Sequence, residues 1–173
     1  INDFVLDNLE FLLKEIQICH QVGIKNLKGA EEVAGVVLGG LPQDLRRRYV
    51  LKSYLDGKEM KMALDAADFV ISRAGSGAIF EAAAFGKPMI LVPLKEAANN
   101  HQQVNAYEYS KVGAAVVLEE ENLKLNLFLD QMKRVLDDKE KLLAMKNAAL
   151  GFAKPDAAER VGKEILGLVG VSL

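Results

Sequence analysis

The sequence predicts an α/β fold: a parallel sheet with helices on both faces. Three observations carry this. Short apolar runs alternate with stretches of helical periodicity along the chain. Two of the runs, DFVIS (68–72) and PMILVP (88–93), are apolar almost throughout, as strands buried on both faces are. Turn residues separate the runs from the helical stretches at regular intervals.

Taken in order, residues 2–13 (NDFVLDNLEFLL) carry apolar side chains at 4, 5, 9, 12 and 13, the spacing of a helix. EIQICHQ (15–21) reads as a strand ending at the turn residue Gly23. Residues 28–39 are helical, and LPQDLRRR (41–48) is a polar connection or short helix. YVLKSYL (49–55) is a second strand, followed by a helix over 58–67. DFVIS and PMILVP are the third and fourth strands, and SGAIFEAAAF between them is a helix closed by Gly86. A helix over 101–112 ends at Gly113, and AAVVLE (114–119) is the fifth strand. Residues 123–169 are mostly helix, interrupted near 137 and at GFAKPD. EEEN (119–122) reads as a solvated loop, and no internal repeat stands out.

Composition bounds the function. The 173 residues are enough for a single domain with its own core, half of them apolar and 27% charged. A net charge of −2 argues against a nucleic-acid footprint. Cys19 is the one cysteine, so no internal disulfide forms; a reducing compartment is expected, with Cys19 a small buried hydrophobe. No apolar run approaches the ~20 residues of a membrane span, and no signal peptide is visible. A start at Ile1 rather than Met reads as the mark of a fragment.

Ligands of open parallel sheets bind at the C-terminal strand ends, here the loops after Val22, Tyr54, Ser72, Pro93 and Leu118. The richest is SRAGSGAIFEAAAFGKP (72–88). A turn there aims backbone N–H groups and a helix dipole at whatever lies above the sheet. Gly75 and Gly77 would let a phosphate approach the main chain, and Ser76 would cap the helix and donate to a phosphate oxygen. Glu81, one to two turns on, suits a ribose diol. Phosphate on the amides and ribose on the acid describe a nucleotide; a tight strand–helix turn with a capping serine accounts for the same pattern. The spacing is not G-x-G-x-x-G, which disfavours an NAD fold. The second cluster, AANNHQQVNA (97–106), sets Asn99, Asn100, His101, Gln102 and Gln103 at the start of the next helix. Uncharged amides both donate and accept, which suits sugar hydroxyls; a polar loop with a helix cap is the alternative. His20, His101 and scattered acids are too few for a metal site.

These blocks, ADFVISRAGSGAIFEAAAFGKPMILVPL, NNHQQVNA, GAAVVL and PDAAERV in that order, resemble the C-terminal domain of the MurG-like glycosyltransferases of family 28, over about residues 2–169. The resemblance implies a Rossmann-like parallel sheet as the C-terminal half of a two-domain GT-B architecture. It implies a donor domain for UDP-N-acetylglucosamine in an inverting transferase that turns lipid I into lipid II in peptidoglycan synthesis, peripheral on the inner face of the bacterial plasma membrane. The lipid-linked muramyl-pentapeptide acceptor would bind an N-terminal domain outside this chain, where the general base is also expected.

Position by position, Glu81 matches the acid that holds the ribose hydroxyls. Gly75, Ser76, Gly77 and Ala78 match the turn facing the diphosphate. Gln102 and Gln103, in the block with Asn100 and His101, match the glutamines that contact the sugar. Leu55 matches the residue whose main chain reads the uracil. Arg73 belongs to the motif, in a role that is either structural or ligand-binding, and the roles of His20 and Gln21 stay open. No cofactor and no metal is expected. Relatives place a strand and a second Gly-rich turn before residue 2; without them the sheet should show unpaired strand edges, and the chain alone should not transfer sugar.

Other readings are another family 28 donor domain, from a diacylglycerol sugar transferase or a two-subunit transferase, and a non-catalytic nucleotide-sugar-binding module. An NAD dehydrogenase fits poorly.

Overall fold

The computed structural model describes residues 1–95 and 100–168. Among the described residues the strands pair only in parallel, in two sheets, and the chain divides into two compact units: residues 1–67 with 118–134, and residues 68–117 with the segment from 135 on.

The first unit opens with α1 (Asn2–Asp7) and α2 (Leu9–Glu15). The sequence pattern predicts one helix here, but the chain breaks at Asn8. The Asn8 carboxamide donates to the Phe4 carbonyl at 2.8 Å, taking an acceptor that the helix ladder would use. The periodicity survives the break because Leu9, Leu12 and Leu13 are all buried. Next come β1 (Ile18–Gln21), α3 (Leu27–Gly39), the short α4 (Gln43–Arg46) and β2 (Tyr49–Lys52), with Ile18 opposite Tyr49 and Gln21 opposite Lys52. Both strands are shorter than predicted. Residue 15 ends α2, and residues 53–55 form a loop. Helix α5 (Gly57–Ala66) starts in a capping box: Asp56 accepts from the Lys58 and Glu59 N–H groups, and Glu59 accepts from the Asp56 N–H. Late in the chain, Phe128 returns to this unit and meets Phe4 edge to face, with ring centroids 5.3 Å apart.

Cys19 does not behave as the buried hydrophobe expected of it. In β1 the side chains alternate, so His20 turns inward while Cys19 and Gln21 are exposed.

The second unit holds β3 (Val70–Ser72), α6 (Ser76–Ala84), β4 (Met89–Leu91), α7 (His101–Lys111) and β5 (Ala115–Val117), in sheet order β3-β4-β5. Helix α8 (Leu125–Leu136) leads into α9 (Lys139–Phe152) and α10 (Ala157–Leu168). β4 is the central strand and all three of its residues are buried, as its unbroken apolar run predicts. Its core packs against Ile79, Ala82, Ala83, Ala106, Tyr109 and Ala149. Gly86 closes α6 as expected, at φ +60°, with its own N–H on the Ala83 carbonyl and the Lys87 N–H on the Ala82 carbonyl.

Candidate functional site

Each unit gathers polar groups at its C-terminal strand ends. In the second unit, Ser72 ends β3 and its carbonyl accepts the Val92 N–H. Residues 73–75 then turn the chain into α6, whose N-cap is Gly75. This corrects the expectation that Ser76 caps the helix: Ser76 is the first helical residue and no side chain caps this end. The Ile79 N–H is the first to close a helical bond, to the Gly75 carbonyl at 3.1 Å. The N–H groups of Ser76, Gly77 and Ala78 therefore have no intrahelical acceptor.

Neither glycine is required by the backbone. Gly75 sits at φ −70°, Gly77 lies within the helix, and a Cβ on either would meet nothing within 4 Å. What the two glycines leave is open space over unpaired N–H donors, the arrangement that receives an anion. Ser76 and Gly77 are exposed, Ala78 is half-buried, and Glu81 is exposed on the following turn.

A side chain that the sequence pattern does not single out holds this turn. Asn105 of α7 donates to the Ala74 carbonyl at 3.1 Å. Arg73 donates to the Val92 carbonyl at 3.2 Å, which gives it a structural contact beside the motif. Gln102 accepts the Leu94 N–H at 3.0 Å. A backbone N–H only donates, so the atom it meets is the oxygen, and the Gln102 amide orientation follows. Its other end is the NH2 group, and the oxygen keeps a second lone pair. Gln103 is half-buried beside it, and His101 is exposed. Asn100 is the N-cap of α7 at φ +56°, in the left-handed region that asparagine tolerates better than most residues. Asn99 lies outside the described residues.

In the first unit, β1 and β2 end side by side. Gln21 accepts the Leu55 N–H at 2.8 Å, across 34 positions of sequence. Leu55 is buried and Tyr54 beside it is exposed. His20 is buried in a polar network: Nδ1 lies 2.9 Å from the Tyr49 hydroxyl and Nε2 lies 3.2 Å from Asn2 Oδ1. The Asn2 amide nitrogen donates to the Val22 carbonyl, so its oxygen faces the ring. His20 therefore carries its proton on Nε2, and the Tyr49 hydroxyl donates to Nδ1. Burial pushes His20 down to about 4 and Tyr49 up to about 12. The network ties the start of α1 to the strand ends, which gives His20 a structural role. Among the described residues, no three His, Cys, Asp or Glu side chains group closely enough to hold a metal ion. Among them also, no helix is long and apolar enough to cross a membrane.

Comparison with known proteins places this geometry. A UDP-N-acetylglucosamine--N-acetylmuramyl-(pentapeptide) pyrophosphoryl-undecaprenol N-acetylglucosamine transferase of Treponema denticola is 31% identical over 163 residues, covering 90% of this chain and 41% of that protein. The transferase of the same name from Lawsonia intracellularis is 34% identical over 173 residues, covering 99% and 45%. The chain thus spans less than half the length of these curated relatives. Among solved structures, Acinetobacter baumannii MurG superposes with a TM-score of 0.71 at 24% identity, over 95% of this chain and 48% of that one. A Staphylococcus aureus MnaA–UDP co-structure superposes with a TM-score of 0.70 at 20% identity, over 99% and 42%. These two likenesses establish the fold alone, that of one half of a GT-B architecture. The profile of the glycosyltransferase family 28 C-terminal domain matches residues 1–161, and the chain belongs to that family.

Proposed function

We propose that this chain is the donor-binding domain of an inverting UDP-N-acetylglucosamine transferase that converts lipid I into lipid II. The observation that carries the reading is the uncapped start of α6, with three unpaired N–H groups under two glycines that the backbone does not require. The diphosphate of the donor sits there. Its negative charge grows as UDP leaves, and the helix end stabilises it. Glu81 accepts from the ribose hydroxyls, and Gln102 and Gln103 meet the sugar. The transferase names of the relatives and the UDP of the MnaA co-structure support a UDP-sugar ligand.

The acceptor, a lipid-linked muramyl-pentapeptide, and the general base that activates its hydroxyl belong to the rest of the protein, which meets the inner face of the membrane peripherally. No metal is assigned a role in this reading.

The test is a calorimetric titration with UDP-N-acetylglucosamine, with UDP-galactose and NAD as controls, on the chain and on Glu81→Ala. Selective binding of UDP-N-acetylglucosamine, lost in the variant, is expected. A folded chain that binds none of the three, or prefers NAD, refutes the reading.

A further inference from the structure

Side chains hold the loop after β2 at two consecutive peptide N–H groups. The Leu55 N–H donates to Gln21 Oε1 of β1 at 2.8 Å, and the Asp56 N–H donates to Glu59 Oε2 of α5 at 3.2 Å. Glu59 has a second hold: its other oxygen, Oε1, lies 2.7 Å from Nζ of Lys52, the last residue of β2. A capping box uses only one of these two bonds. Residues 53–55 belong to no strand or helix, so one carboxylate spans them, bonded to Lys52 on the strand side and to Asp56 on the helix side. The hydrogen bond from Lys52, and secondly that from the Asp56 N–H, hold Glu59 below the ordinary carboxylate range; the same Glu59 holds Lys52 above its ordinary value.

We propose that Glu59 is a positioning residue for the donor: with Lys52 it sets the loop carrying Tyr54 and Leu55 in place before any ligand arrives. The inference rests on the donor-binding reading above and adds to it a residue that touches no ligand, since both Glu59 oxygens bond to the chain itself. Residues outside strands and helices lose backbone freedom when a ligand fixes them, and a loop ordered beforehand avoids that loss. The brace is local. Lys52 and Glu59 are each part-exposed, and an ion pair so placed adds little to the stability of a fold. Its effect therefore falls on ligand affinity more than on unfolding. A capping box that served α5 alone would behave the other way: its loss would lower the melting temperature and leave the affinity where it was.

Three variants separate these roles. Glu59→Ala removes both bonds. Glu59→Gln keeps an oxygen for the Asp56 N–H but gives up the charge that Lys52 meets. Lys52→Met leaves the capping box whole and removes the strand-side hold. UDP is titrated calorimetrically into the chain and each variant, thermal unfolding is recorded, and amide hydrogen exchange at Leu55 and Asp56 is followed without ligand. Glu59→Ala is expected to bind UDP about fivefold more weakly, with a nearly unchanged melting temperature and faster exchange at both amides. Glu59→Gln and Lys52→Met should show a smaller loss, equal in the two, and the double variant should lose no more than either. A folded Glu59→Ala that binds UDP as the wild type does overturns the proposal, as does unchanged exchange at Leu55 and Asp56. A melting temperature that falls while the affinity holds overturns it too, leaving Glu59 a helix cap. If Glu59→Ala does not fold, Lys52→Met decides: undiminished UDP binding there overturns the proposal. A wild type that binds no UDP refutes the donor-binding reading and this proposal with it, whereas binding that is the same in wild type and variants refutes this proposal alone.

Discussion

The Gln102 side-chain oxygen accepts the Leu94 N–H at 3.0 Å, as the Gln21 oxygen accepts that of Leu55 at 2.8 Å. In both units a glutamine pins the loop that follows a strand through its side-chain oxygen. Gln102→Glu should keep the clamp and remove the donors. UDP affinity is then expected to hold, while UDP-N-acetylglucosamine affinity falls about tenfold, the size of one lost hydrogen bond to a ligand. Calorimetry with both ligands checks this; equal losses for the two would place Gln102 away from the sugar.

Gly77 lies inside α6, and a methyl group added there would meet nothing within 4 Å. Gly77→Ala should therefore stabilise the fold by up to ~1 kcal/mol through helix propensity. The same methyl would stand over the open N–H groups, so UDP binding should weaken. Opposite signs in the melting temperature and in the affinity are the expected signature. A variant that is more stable and binds UDP as before would move the diphosphate elsewhere.

His20 gives the fold an acid-sensitive point. Its ordinary value is 6.5 and its folded value about 4, chiefly through burial. Between these two values the unfolded chain binds a proton that the folded chain does not. Stability contributed by the neutral ring is therefore full above pH 6.5, declines as pH falls toward 4, and is gone below that. The linkage amounts to about 3 kcal/mol across the window. Chemical denaturation at stepped pH should show the decline in the wild type and a flatter profile in His20→Gln.

Tyr109 is fully buried, and its hydroxyl has no hydrogen-bond partner among the described residues. The ring packs edge to face on Phe152 with centroids 4.9 Å apart, so the aromatic surface carries the contact and the hydroxyl does not. Tyr109→Phe removes an unsatisfied polar atom and should be neutral or stabilising by ~1 kcal/mol. Tyr109→Ala should cost about 3–5 kcal/mol. Paired denaturation curves test both directions.

The order of strands and helices is legible in the sequence because it rests on local pattern. Met89–Leu91 and the Gly86 closure of α6 need only neighbouring residues to be recognised. What pattern misses is specific and mostly distant. The Asn8 break depends on one side chain choosing the Phe4 carbonyl over solvent. Cys19 reads as apolar by type but falls on the exposed side of a four-residue strand. The candidate residues at α6 are singled out by the Gly-rich turn, whereas Asn105 bonds to Ala74 across 31 positions and Gln21 to Leu55 across 34. Asn105 does fall within the amide-rich NNHQQVNA block, and Gln21 closes its strand. Amides in such places are visible as candidates, but nothing local names the carbonyl or N–H they reach.

Phe4 and Phe128 meet in one unit, yet residues 68–117 of the other unit are strung between them. On a ribosome adding about 5–20 residues per second, the partner of Phe4 emerges only several seconds after the strands of its own unit. During that interval the nascent chain shows an apolar gap where Phe128 will dock, while the segment from Asp68 to Val117 has already left the tunnel. The first unit is thus closed only after residues 68–117 have been made, and its exposed seam is a place for a chaperone to hold the chain during synthesis.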